Sequence, residues 1–168
     1  VLSCSAARVD DVLSEGVAAA VHRAGTIFSL MLDAHAVGAA RHMIELTIEH
    51  VTSRSQFGQP VGRFQAVQHT LANMQVAAET SYSLMTAASE SWRGRGDPSL
   101  SEVASSRLHA AAVAGRVCES AIQLHGGMGF TWEAGMHRWY RVARLSQHLL
   151  TDEPGLRRYL ADEIRRSV

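Results

Sequence analysis

The sequence predicts an all-α fold: an antiparallel up-down four-helix bundle with a short non-helical N-terminal segment. Three observations carry that prediction. Apolar residues recur at steps of three and four along three long stretches, and period-two alternation is confined to residues 1–13. Glycine and proline mark the breaks, at Gly58 and Pro60, at Gly94-Arg95-Gly96-Asp97-Pro98, and at Gly126-Gly127. The second and third stretches are rich in Ala, Gly and Ser, which let helix axes approach closely.

Residues 1–16 read as the remnant of a preceding β domain or a linker, because Arg8-Val9-Asp10-Asp11-Val12-Leu13 does not fit a bundle helix. Residues 17–168 read as the bundle domain. Its first helix is expected over Val17–Thr52, with Ile27, Leu30, Ala34, Val37, Ile44, Ile48 and Val51 facing inward and Arg41 as the misfit. The second is expected over Val61–Arg93. Phe64, Val67, Leu71, Met74, Ala78, Ser81, Met85, Ala88 and Trp92 alternate steps of three and four there, the 3.5-residue period of near-parallel packing. Ser99 with Glu102 has the pattern of a capping box opening the third helix. Ala104, Leu108, Ala111, Gly115, Cys118 and Ile122 continue the period. A shorter helix is expected over Glu133–Leu149 and a last one over Pro154–Arg166, with Asp152 or Glu153 near its cap.

Composition narrows the function. The 168 residues suffice for one domain with its own core, and the formal net charge is zero. Such a balance gives no electrostatic reason to expect nucleic acid or an anionic membrane. All 16 basic residues are Arg, which reads as codon bias rather than a binding device. No apolar run reaches the roughly 18 residues of a membrane span. Val1-Leu2-Ser3-Cys4-Ser5 lacks the marks of a signal peptide. Two cysteines do not make a disulfide framework, and Cys118 reads as a buried free thiol. A cytoplasmic setting is the expectation. The nine histidines form no zinc-type spacing, and no Gly-x-Ser-x-Gly nucleophile signature occurs.

Two segments carry the functional signal. Arg54-Ser55-Gln56-Phe57-Gly58-Gln59-Pro60 is followed by Phe64-Gln65. Further on stands Gln123-Leu124-His125-Gly126-Gly127-Met128-Gly129-Phe130. Taken singly, each has an ordinary role: Arg54 as a cation at a helix C-terminus, Gly126-Gly127 as a C-cap, Gln65 as a surface residue. Together, in this order and followed by an Arg-rich helix, they resemble the C-terminal helical domain of the acyl-CoA dehydrogenase family, from about Ala19 to Leu145.

That resemblance implies FAD lying across a subunit interface in a homo- or hetero-oligomer of dehydrogenase-like subunits. It implies an acyl-CoA substrate and an electron-transfer flavoprotein or similar acceptor. It implies that Arg54 pairs with the FAD pyrophosphate. Gln56, Gln65, Gln123, Leu124 and His125 would line the dinucleotide, Gly126 and Gly127 would bring backbone amides against it, and Phe57 and Phe64 would wall the site. A guanidinium suits phosphate because its planar fork donates two charge-assisted bonds.

The resemblance also exposes a departure. The family takes the substrate's α-proton with a carboxylate, usually just after the Arg-rich helix. In register that position is Leu150, followed by Thr151. The alternative position on the first helix is Phe28, and the flanking substrate-clamp positions are Thr26 and Ser29. Neither Leu nor Phe accepts a proton. Asp152 and Glu153 are the nearest carboxylates, with helix capping as their ordinary role. Three readings follow: an FAD-binding subunit that supplies no base and works beside a catalytic partner, an active homo-oligomer using Asp152 or Glu153, or a non-enzymatic assembly module.

Overall fold

The computed structural model describes residues 15–95, 99–149 and 152–167. In order come α1 (Glu15–Ser53), a hairpin of β1 (Ser55–Gln56) and β2 (Gln59–Pro60), a 3-10 turn (Val61–Arg63), and α2 (Gln65–Arg95). Then follow α3 (Leu100–His125), a second 3-10 turn (Gly126–Phe130), α4 (Met136–His148) and α5 (Glu153–Ser167). The first four helices form the bundle, with α3 central and α1 against it, and α5 packs on α3. Residues 1–14, expected to be a β remnant or linker, lie outside the described residues, whereas Glu15 and Gly16 already belong to α1.

α2 follows its expected seam: Met74, Ala78, Ser81 and Ala88 are buried and the other predicted positions half-buried. α1 departs from expectation. Leu30, Val37, Ile44 and Val51 are buried as predicted, but Ala34 and Ile48 face outward. The true seam is Thr26, Leu30, Asp33, Val37, Ala40, Ile44, Thr47 and Val51, an unbroken alternation of four and three. Its polar members have partners. Thr47 Oγ1 donates to the Met43 carbonyl at 2.6 Å, and Thr26 Oγ1 to that of His22 at 3.0 Å. Arg41 is no misfit, since Ala40 holds the seam position. Arg41 pairs instead with Glu79 of α2 at 2.9 Å and lies over the Tyr82 ring.

Other boundaries shift for local reasons. α2 starts at Gln65 rather than Val61 because Phe64 is extended, with its amide bonded back to the Val61 carbonyl. The capping hydroxyl expected of Ser99 does not form a cap; its Oγ lies 2.7 Å from Ser101 Oγ. α4 starts at Met136, not Glu133, because Gly135 adopts φ +66° at the cap. α5 starts at Glu153, with Asp152 as its cap: Asp152 Oδ1 accepts from the Gly155 amide at 3.2 Å. The little hairpin was not anticipated in an all-helical reading.

The core joins Ala36, Ala40, Met43 and Ile44 of α1 to Met74 and Ala78 of α2, to Val113, Ala114, Val117, Cys118 and Ala121 of α3, and to Met136 and Ala143 of α4. Alanine is frequent because the axes are close. At Gly115 an added Cβ would stand 2.7 Å from Gln147 Nε2, so glycine there lets α4 approach and Gln147 donate to the Ala111 carbonyl at 2.8 Å. Cys118 is buried at the centre, and burial pushes its thiol up to about 12.

One ion pair lies inside this bundle. Arg107 of α3 is 1% exposed and Asp33 of α1 is 0%. Arg107 Nη1 donates to Asp33 Oδ1 at 2.7 Å, Ser106 Oγ to Asp33 Oδ2 at 2.7 Å, and Arg107 Nη2 to the Leu149 carbonyl at 3.1 Å. Burial raises the Asp33 carboxyl above its ordinary range, and the bonds from Ser106 and Arg107 oppose the rise. Removing one partner of such a pair leaves a buried charge uncompensated and costs about 3–5 kcal/mol, whereas an apolar replacement of both is far milder. Denaturant unfolding of Asp33→Ala should therefore show a loss of about 3–5 kcal/mol, and the double variant Asp33→Leu/Arg107→Met a smaller one. A loss below about 1 kcal/mol for the single variant would show the pair to be dispensable.

Candidate functional site

α1 and α3 run parallel, being separated in sequence by one antiparallel helix. Seventeen residues separate Asp33 from His50 and eighteen separate Arg107 from His125, about 26 Å of helix in either case. The ion pair therefore sets the C-terminal ends of α1 and α3 side by side. There the rings of His50 and His125 stack, with centroids 4.3 Å apart and planes at 21°. The two segments singled out in the sequence leave the bundle at this one end.

The first leaves as the hairpin. Ser55 pairs with Pro60 and Gln56 with Gln59, and the two-residue turn between them has φ +52° at Phe57 and φ +79° at Gly58. Positive φ at both central residues matches the twist of a two-residue hairpin, and Gly58 takes it without strain. Phe57 adopts it against preference and is 91% exposed. Its ring meets Phe64 edge-on at 6.3 Å. The hairpin is tied at its base by the Arg54 amide to the His50 carbonyl (2.9 Å) and the Val61 amide to the Arg54 carbonyl (2.8 Å). The Arg54 side chain is exposed, and no carboxylate pairs with it among the described residues.

The second segment leaves as a 3-10 turn. Gly126 caps α3 at φ +60°. An added Cβ on Gly126 or Gly127 would meet nothing within 4 Å, and the Gly126 amide donates to the Gln123 carbonyl. Gly129 differs: it is buried, and an added Cβ would stand 2.6 Å from the Ile122 carbonyl. Gln123 is exposed, while Leu124 packs on the core. His125 is half-buried, with Nδ1 2.8 Å from the Ala121 carbonyl, which places the Nδ1 proton there as donor.

The structure thus places Arg54 and its hairpin at the same end of the bundle as His125-Gly126-Gly127, and Phe57 against Phe64. Gln56 and Gln65 are exposed, and among the described residues no hydrogen bond or ring contact ties them to Gln123. His50 was missed by the sequence reading. A cavity of about 270 Å³ beside the stack is lined by Leu46, Glu49, Ser53 and Met128, among others. Burial holds the His50 imidazole below its ordinary range, and the charges of His125 and Arg54 add to that.

Of the positions considered for a base, Phe28 lies in the first half of α1, and Asp152 and Glu153 lie at the start of α5. Leu150 is outside the described residues, but the carbonyl of Leu149 is held by Arg107. Phe28 is on the outer face of α1, half exposed. Thr26 and Ser29 line a second cavity of about 270 Å³, largely apolar, between α1, α3 and Leu156 of α5. Asp152 caps α5, and Glu153 pairs with Arg157 at 2.7 Å. Among the described residues, no group of three His, Cys, Asp or Glu side chains is placed to hold a metal, and no helix is long and apolar enough to cross a membrane.

Comparison with known proteins bears on the family and the fold. Residues 18–150 match the family model described as acyl-CoA dehydrogenase, C-terminal domain. The chain is 33% identical to the acyl-CoA dehydrogenase IpdE2 of Mycobacterium tuberculosis over 136 residues, covering 81% of this chain and 41% of that protein. It is 34% identical to the probable acyl-CoA dehydrogenase YngJ of Bacillus subtilis, covering 70% of this chain and 31% of that one. Its fold superposes on the butyryl-CoA dehydrogenase of Megasphaera elsdenii with a TM-score of 0.76 at 26% identity, covering 81% of this chain and 35% of that one. The chain belongs to the acyl-CoA dehydrogenase family and has the fold of its C-terminal domain. It spans well under half the length of these relatives.

Gly129→Ala should lower stability by about 1–3 kcal/mol, because the clash is with backbone. Gly127→Ala should leave the thermal midpoint unchanged. Equal midpoints for both would disprove the close approach at Gly129.

Proposed function

We propose that the chain serves an acyl-CoA dehydrogenase assembly as the part that grips FAD at a subunit interface, without supplying the catalytic base. One observation carries this reading. The exposed Arg54 guanidinium, which no carboxylate pairs with among the described residues, and the exposed Gly126-Gly127 turn lie at one end of the bundle, bridged by the His50–His125 stack. A phosphate donor and an exposed glycine turn at one bundle end, where the missing Cβ atoms allow close approach, suit a pyrophosphate. The aromatic pair Phe57–Phe64 and the amides of Gln56, Gln65 and Gln123 suit the rest of a dinucleotide. FAD, when bound, supplies the acceptor for the hydride leaving the substrate's β-carbon.

The chain's own residues bind and orient at this end. The residues available for proton removal are spent elsewhere: Asp152 as a helix cap and Glu153 in an ion pair. Leu150 and Phe28 have no proton-accepting group. The base then comes from a second dehydrogenase-like subunit in a hetero-oligomer. The substrate class is an acyl-CoA thioester, dehydrogenated between its α and β carbons. The electrons pass to an electron-transfer flavoprotein or a similar acceptor, in the cytoplasm.

Two measurements test this reading. A charge-assisted bond to phosphate is worth about 1.5–3 kcal/mol, so Arg54→Ala should weaken FAD retention by roughly 10- to 100-fold in the native assembly, read from flavin absorbance after gel filtration. Unchanged retention would refute the site. Asp152→Asn and Glu153→Gln should leave acyl-CoA turnover of that assembly unaltered. Loss of turnover in either variant, with the fold intact by circular dichroism, would make that residue the base and remove the need for a catalytic partner.

A further inference from the structure

We infer that His50 is a positioning residue of the dinucleotide site, acting through His125: the stacked pair clamps the Arg54 hairpin to the Gly126-Gly127 turn. The inference rests on the flavin reading of this end of the bundle. His50 is where the hairpin is attached, since its carbonyl accepts the Arg54 amide at 2.9 Å. His125 is the last residue of α3, directly before the glycines. Its Nδ1 is committed to the Ala121 carbonyl at 2.8 Å, which fixes the ring against the helix. The stack, at 4.3 Å and 21°, is therefore the side-chain contact through which one segment holds the other in place.

The clamp needs uncharged rings. Two imidazolium ions stacked at this distance would repel, with the Arg54 guanidinium adding a third positive charge near His50. The groups facing His50 leave little to offset that. α1 offers Glu49, itself exposed, along with Leu46 and Ser53; α3 offers His125. The 3-10 turn contributes Met128, and the segment entering α4 contributes Ala134 and Met136, all apolar. Burial on that side already disfavours the charged form of His50, so its folded-state proton affinity lies below its unfolded one. The sign follows: the clamped state is favoured at neutral pH and is lost as pH falls through and below the ordinary histidine range.

The test uses the native flavin-loaded assembly between pH 8 and pH 5.5, with released flavin measured by fluorescence. Wild-type retention should fall on acidification, by at most about tenfold per pH unit for one proton. His50→Phe keeps a flat ring that cannot titrate, and should match the wild type at pH 8 while losing most of the pH dependence. His50→Ala should retain flavin poorly at both ends. Retention that rises on acidification would make His50 a direct phosphate ligand and overturn the positioning role. So would identical pH profiles for wild type and His50→Phe. If the wild-type assembly holds no flavin even at pH 8, the flavin reading fails by itself. Hydrogen exchange at residues 54–58, corrected for intrinsic rates, then decides the clamp. Acid-induced opening in the wild type but not in His50→Phe supports it; equal exchange overturns it.

Discussion

Everything in this bundle is referred to one buried charge pair. Taking Asp33 and Arg107 out of water costs several kcal/mol per ion, and attraction in the interior offsets it only when geometry is good and the remaining donors and acceptors are met. Here both Asp33 oxygens are bonded, one by Arg107 and one by Ser106, and Arg107 spends a further donor on the Leu149 carbonyl. The pair tolerates no helical slip. Moving α3 by one residue along α1 rotates Arg107 by about 100° and strands two charges in an alanine-rich interior. Small, interchangeable alanines fix a packing distance but not a register, so the register comes from this pair.

The far end of the bundle inherits that register. With α1 and α3 locked in mid-course, their C-termini finish level, and His50 meets His125. The hairpin and the glycine turn then emerge at the same end. The same arginine reaches in the other direction to the end of α4, through the Leu149 carbonyl. One residue thus joins the α1–α3 pair to the end of α4.

What the sequence revealed depended on whether a position's role is written in its polarity. The α2 seam was legible because Val67, Leu71, Met74, Ala78 and Ala88 are apolar and regularly spaced. The α1 seam was misread by one residue at Ala34 and Ile48, because the true occupants, Asp33 and Thr47, are polar and satisfied only by bonds formed in the folded chain. The start of α4 was placed early because Glu133 looks like a helix opener, while the backbone turns at Gly135. The Arg54 and Gly126-Gly127 segments were legible as motifs. The contact that sets them at one end was not, since it pairs two histidines far apart in sequence, neither of which breaks an apolar pattern.

Cys118 turns the solidity of this core into something chemically visible. Only a thiolate reacts with alkylating or oxidising reagents, and a thiol held at about 12 exposes at pH 7 only about one part in 10⁵ in that form. Its side chain is also wholly covered by the surrounding helices. Modification at this site at neutral pH must therefore wait for α3 to part from its neighbours. The rate of Cys118 labelling, followed peptide by peptide, is in effect a clock for the opening of the bundle's central helix.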